Sequence, residues 1–166
     1  MADKVSLLTD ATPTNLTPSE KMNATHKNNL PNNSQPKRPK VLIVDDSPTI
    51  IELIKYHLQS AGYDVVAQTK ALGTMVTILR ERPDLILLDI EIPLIDGLSL
   101  CTLLKQNSSM ANIAETPVLF YSSISETELS QAVKKCGAQG YIHKHWAIDQ
   151  IIQKINEFMK LCKNKE

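Results

Sequence analysis

The sequence predicts an α/β protein: a five-stranded parallel sheet, doubly wound, with helices on both faces. Three observations carry this. Short runs such as VLIV at 41–44 and LILL at 85–88 are apolar throughout, without the alternation of a half-exposed strand. Between such runs stand apolar residues at helical spacing, in patterns long enough to cross from one strand to the next. The two kinds of pattern alternate from Lys40 to about Lys160, which implies right-handed crossovers and parallel strands.

The elements follow in order. VLIV is the first strand, and SPTIIELIKYHLQSAG after it is a helix. Ser47 stands at the N-cap, Pro48 at the first helical position, and Gly62 at the C-terminal cap. Ile50, Ile51, Leu53, Ile54 and Leu58 form its apolar stripe. DVVA at 64–67 is a second strand, and ALGTMVTILRER at 71–82 a second helix that Gly73 weakens near its start. Pro83 marks a boundary; DLILLD at 84–89 is the most apolar strand, and LSLCTLLKQ at 98–106 is the third helix. NSSMANIAET at 107–116 reads as a plain surface loop. PVLFYS at 117–122, ETELSQAVKKCG at 126–137, GYIHK at 140–144 and IDQIIQKINEFMKLC at 148–162 supply the fourth strand and helix and the fifth strand and helix.

Composition narrows the function classes. The 166 residues, 42% of them apolar, suffice for one core. Lys plus Arg equals Asp plus Glu, 18 against 18, so no charge excess points to nucleic acid or an anionic membrane as partner. Cys101, Cys136 and Cys162 are odd in number and widely spaced. That spacing is neither a disulfide framework nor a zinc site and suits a reducing cytosol. No signal peptide and no apolar stretch near the roughly 20 residues of a membrane helix point to a cytoplasmic protein. Residues 1–38 are rich in Thr, Asn, Pro, Ser and Lys and hold no aromatic residue; they are expected to form a disordered tail. The triplets at Asn15, Asn23 and Asn32 match glycosylation acceptors and are read as composition alone. The domain is expected over 39–162, with a short C-terminal tail at 163–166.

In a doubly wound sheet, ligands bind outside the carboxyl ends of the strands at a topological switch point. Asp45 and Asp46 follow the first strand, Asp89 the third, Ser122 the fourth and Lys144 the fifth, so all five should converge on one edge. Three carboxylates together are unfavourable unless a cation joins them, and an all-oxygen donor set suits Mg2+. The third carboxylate, Asp89, is then placed as a nucleophile toward a phosphoryl group, with Ser122 and Lys144 contacting its oxygens. Taken singly, each is an ordinary strand-end residue; order and strand position together carry the reading.

VLIVDDS, LILLDIEIPLIDG, PVLFYSS and GYIHKHW together resemble the receiver domain of bacterial two-component response regulators, over Lys40 to about Lys160. The resemblance implies a flavodoxin-like fold with strand order 2-1-3-4-5. It further implies Asp89 as phosphoacceptor, and Asp45 and Asp46 as the acid pair holding Mg2+ with Asp89 and the backbone carbonyl of Glu91. Ser122 is implied as the switch hydroxyl, Lys144 as the family lysine and Tyr141 as the switch aromatic. A sensor histidine kinase or phosphotransfer protein would be the phosphodonor. Output would be a changed affinity of the face formed by the fourth helix, the fifth strand and the last helix for a downstream protein or a second copy of the chain. The chain stops after that helix, so the expectation is a stand-alone receiver without direct nucleic-acid binding, a phosphoacceptor rather than a turnover enzyme.

Two positions depart from the pattern. Lys144 is followed by His145 where the family has proline. A cis bond there costs about 2.5–4 kcal/mol, so the bond is expected to be trans and Lys144 to be aimed differently. Glu91 puts a carboxylate where hydrolytic water would approach and is expected to alter the lifetime of the phosphorylated form. His143 and His145, two apart, lack a third ligand and read as loop residues. The competing class is a phosphorylation-independent interaction module of the same fold, which the altered lysine motif favours. A phosphatase of the haloacid-dehalogenase type, suggested by LLDIEI, would need an aspartate at Glu91 and acids later in the chain. A phosphodonor role for His57 lacks any supporting motif.

Overall fold

The odd and even residues of each central strand belong to different cores. Val41, Ile43, Leu85, Leu87, Leu119, Tyr121 and Ile142 pack on one side, and Leu42, Val44, Ile86, Leu88, Val118 and Phe120 on the other. Successive side chains of a strand point to opposite faces, so runs with no polar break need cover on both. The computed structural model describes residues 37–107 and 111–163. The tail proposed for 1–38, apart from Lys37 and Arg38, lies outside them, as do the Asn15, Asn23 and Asn32 triplets and residues 164–166.

Five parallel strands, β1 (Lys40–Val44), β2 (Asp64–Gln68), β3 (Leu85–Leu88), β4 (Val118–Ser122) and β5 (Gly140–His143), stand in the order β2-β1-β3-β4-β5. This is the doubly wound fold that the sequence predicts. The helices are α1 (Pro48–Ser60), α2 (Thr74–Glu81), α3 (Gly97–Gln106), α4 (Ala111–Glu115), α5 (Glu126–Cys136) and α6 (Ile148–Lys163). Ile51, Ile54 and Leu58 of α1 and Ile151, Ile155 and Met159 of α6 cover one face; α2, α3, α4 and α5 cover the other. The strand order reverses its direction of winding between β1 and β3, which lie side by side with Val44 opposite Leu88.

Local signals set most boundaries. Ser47 Oγ accepts the Ile50 amide at 3.4 Å, and Pro48 opens α1. Gly73 delays α2 beyond the expected start: it sits at φ 89°, and the helix begins only at Thr74. Asp96 caps α3, accepting the amide of Ser99 at 2.9 Å and its hydroxyl at 2.8 Å. The surface loop expected at 107–116 is corrected in part, since Ala111–Glu115 form α4, which buries Ile113 in the core. One apolar anchor in five residues is too little for a periodicity to register.

Candidate functional site

Backbone pairing continues one residue past the strands and fixes the groups at their carboxyl ends. The Asp45 amide donates to Gln68 O at 3.2 Å, the Asp89 amide to Val44 O at 2.9 Å, and the Lys144 amide to Ser122 O at 3.0 Å. Asp45, Asp89 and Ser122 are buried and Asp46 is exposed. Carboxylate oxygens of Asp45, Asp46 and Asp89 lie within 4.8 Å of one another.

Each buried carboxylate divides its oxygens between backbone and lysine. Asp45 Oδ1 accepts the Ser47 amide at 2.9 Å, and Asp89 Oδ1 the Glu91 amide at 3.3 Å. Both Oδ2 atoms lie 2.7 Å from Lys144 Nζ. The contact with Asp89 is an aligned hydrogen bond; that with Asp45 is an ion pair without that alignment. Lys144 is therefore not aimed elsewhere, as its following His145 had suggested: it reaches both acids. Burial pulls its ammonium down, but its close contacts with Asp45 and Asp89 and their charges outweigh burial and hold it above the ordinary lysine value.

Three carboxylates face one ammonium, an excess of negative charge that a divalent cation would balance. All the donors are hard oxygens, as Mg2+ prefers, so the residues fit this ion. Beside them Ser122 Oγ is fully buried with no hydrogen-bond partner. Such an orphaned hydroxyl costs about 1–3 kcal/mol and is suited to a group that arrives later.

Ser122 and Tyr141 share a face of the sheet. Ser122 has the parity of Phe120 along β4, and Tyr141, opposite Phe120 in the neighbouring strand, packs half-buried on the same core. Three further residues escaped the sequence reading. Gly97 lies so close to the Asp89 backbone that a Cβ there would collide with the Asp89 carbonyl. Tyr121 offers its ring to Lys144 Nζ at 5.6 Å from the centroid. Trp146 stands 6.3 Å from Tyr141, ring to ring, and its indole N–H donates to Glu126 at 3.3 Å. Only Gly97 left a signal, as the glycine beside the Asp96 cap. Glu91 is exposed, and His143 and His145 face one another at 5.0 Å. Asp45, Asp46 and Asp89 form the one acidic or metal-ligating cluster found among the described residues.

A doubly wound sheet with an acidic crevice at its switch point defines a flavodoxin-like protein whose ligand site lies between β1 and β3. Residues 41–156 match the response regulator receiver domain, and the chain belongs to that family. Its relatives include the DNA-binding dual master transcriptional regulator RpaA of Synechocystis, 28% identical over 74% of this chain and 49% of the relative. Another is the transcriptional regulatory protein YxdJ of Bacillus subtilis, 33% identical over 70% and 48%. The chain thus spans about half the length of the curated relatives it matches. Among solved structures it resembles the Vibrio cholerae chemotaxis protein CheY4, 25% identical over 73% of this chain and 98% of that one, TM-score 0.66. It also resembles the BeF3-activated receiver domain of Klebsiella pneumoniae RstA, 28% identical over 72% and 97%, TM-score 0.65. Receiver domains are signalling modules of two-component systems that interact with histidine kinases and bind Mg2+ in an acidic pocket. No helix among the described residues is long and apolar enough to cross a membrane.

Proposed function

We propose that this chain is a phosphorylation-driven switch in which Asp89 accepts a phosphoryl group from a histidine kinase or a histidine phosphotransfer protein. The supporting observation is the convergence of three carboxylates within 4.8 Å of one another, two of them paired with the half-buried Lys144, beside an orphaned serine hydroxyl. Asp45, Asp46, Asp89 and the backbone carbonyl of Glu91 would hold Mg2+, which when bound offsets the charge between the attacking carboxylate and the incoming phosphoryl group. Asp89 Oδ2 attacks phosphorus in line while the Glu91 amide keeps Oδ1 oriented; the new O–P bond forms as the P–N bond to the donor histidine breaks and its imidazole departs. Lys144 moves its contact from the carboxylate to a phosphoryl oxygen. Ser122 donates to a second phosphoryl oxygen and so gains the partner it lacks.

Tyr141 then turns into the space that Ser122 leaves, and the face of α5, β5 and α6 changes its affinity for a downstream protein or a second copy of the chain. This makes the chain a phosphoacceptor that promotes its own phosphorylation and dephosphorylation, not a turnover enzyme. Its setting is cytoplasmic and its output a protein contact; DNA binding, named for the RpaA relative, is not carried over. The phosphorylation-independent alternative loses its main support, because Lys144 reaches Asp89 despite His145.

Intact-mass measurement after incubation with acetyl phosphate tests the reading. One phosphoryl group should add in the presence of Mg2+, and none should add without Mg2+ or in Asp89→Asn. A folded, Mg2+-binding protein that gains none would overturn it. Glu91→Asn should change the decay rate of the product; an unchanged rate would remove the role assigned to Glu91.

A further inference from the structure

Two thiols that the phosphoryl chemistry does not use meet inside the core behind β3 and β4. Cys101 lies on α3 and Cys136 is the last residue of α5; their sulfurs are 2.8 Å apart. A disulfide bond is about 2.05 Å long, so closing it requires a shift of less than ~1 Å. The pair is asymmetric, Cys101 being fully enclosed while Cys136 keeps 7% of its surface exposed. Lys105, one turn beyond Cys101, is half-buried, with its ammonium donating to Ala114 O at 3.1 Å and Thr116 O at 2.8 Å.

We propose that Cys101 and Cys136 form a redox site that reduces a hydroperoxide and closes a disulfide between α3 and α5. Cys136, the less enclosed of the two buried thiols, reacts first. Its thiolate attacks the terminal peroxide oxygen; an S–O bond forms, the O–O bond breaks, and the leaving oxygen takes a proton to depart as water or an alcohol. Cys101, losing its proton, then attacks the sulfur of the Cys136 sulfenic acid. The S–S bond forms, the S–O bond breaks, and the oxygen leaves as water. Two thiols are oxidised by two electrons and one hydroperoxide is reduced. A dithiol reductant reverses the reaction by thiol–disulfide exchange. The hydrogen bond with Cys136 and burial hold the Cys101 thiol well above its ordinary value, which leaves the less enclosed Cys136 as the thiol that reacts first. Redox-sensing pairs of this kind are the form in which disulfides arise in reducing compartments. The proposal is independent of Asp89.

The test uses the full chain carrying Cys162→Ala, so that the third thiol does not contribute. The protein is exposed to a small molar excess of hydrogen peroxide, alkylated, and examined by intact mass and non-reducing peptide mapping. Expected is the loss of two hydrogens, a peptide pair joined through Cys101 and Cys136, and full reversal by dithiothreitol. Closing this loop should raise Tm by roughly 5–15 °C. In Cys101→Ala, Cys136 should stop at a sulfenic acid that dimedone traps; in Cys136→Ala, Cys101 should remain reduced. Two free thiols after treatment, or oxygen added to Cys136 without a linked peptide, would overturn the proposal in the parent chain whether or not either variant folds. Oxidation of Cys101 at the parent rate in a folded Cys136→Ala protein would overturn the assigned order.

Discussion

Among the described residues, Lys144 is the sole cation in contact with two nearly inaccessible carboxylates, so its removal isolates what those acids cost. The side chains of Asp45 and Asp89 are 1% and 3% exposed and that of Lys144 11%. Taking one partner from a buried ion pair costs about 3–5 kcal/mol because the other charge is left behind. Lys144→Met should therefore lose about 3 kcal/mol in urea unfolding without Mg2+, and should be stabilised by added Mg2+ more than the parent. Because the folded lysine sits above its ordinary value, its contribution is complete below about pH 10.5. It fades only as pH rises through the elevated folded value. The stability gap between parent and Lys144→Met should hold between pH 7 and 9, conditions chosen below that limit, and shrink in stronger alkali. A gap that closes already near neutrality would mean that the lysine is not held by these acids. The sequence placed Lys144 at the correct strand end but misjudged its aim. The bond before His145 was weighed by its local cost, whereas the position of Nζ follows from the pairing of the Lys144 amide with Ser122 O, a contact across the sheet.

The start of α3 couples a helix to the phosphoacceptor loop. Gly97 donates its amide to Ile90 O at 2.9 Å, and its α-carbon lies against the Asp89 carbonyl. Gly97→Ala must push either α3 or the Asp89 backbone aside, and because the obstacle is backbone, little relaxation is available. About 3 kcal/mol of stability should be lost, together with most of the phosphoryl uptake. Gly62→Ala is the matched control: its φ of 92° disfavours alanine, but the surrounding space is open, so about 1 kcal/mol should go with uptake unchanged. Equal effects of the two on uptake would remove Gly97 from the site. The contrast also explains what the sequence reading could and could not see. Uninterrupted apolar strands and a Ser-Pro helix start are local patterns, and they gave the five strands, their carboxyl-end residues and most helix positions. The Gly97 contact, the α4 turn around Ile113, the tilted approach of Trp146 to Tyr141 and the meeting of Cys101 with Cys136 are products of tertiary packing. No periodicity within one element contains them.

Across the whole molecule, the proposed switch would carry a charge change at Asp89 to the α5–β5–α6 face, and the single tryptophan of the chain is positioned to report it. Trp146 stands beside both parts that the proposed switch would move: its ring lies 6.3 Å from that of Tyr141, and its indole N–H is bonded to Glu126 at the start of α5. A groove of about 450 Å³ opens beside it, lined by Tyr141, Trp146, Phe158 and Leu161 with Lys134 and Lys154 at its rim. New charge-assisted hydrogen bonds contribute about 1.5–3 kcal/mol each. Two of them, from Ser122 and Lys144, would supply about 3–6 kcal/mol, against the ~5.5 kcal/mol that carries a two-state equilibrium from 1:99 to 99:1. Part of that is offset by the contact Lys144 gives up at Asp89, so the shift should be large but incomplete. Beryllium fluoride with Mg2+, a phosphoryl stand-in of the kind named for the RstA receiver, should therefore change Trp146 emission in the parent chain and leave Asp89→Asn silent. Tyr141→Leu should bind the fluoride yet give a much smaller emission change, since the ring that moves past the indole is gone. Ser122→Ala should respond at higher fluoride concentration, having lost one of the two bonds. If Tyr141→Leu gave the full parental signal, the switch would run through α5 and Glu126 alone, and the shared face of Ser122 and Tyr141 would be a matter of packing only.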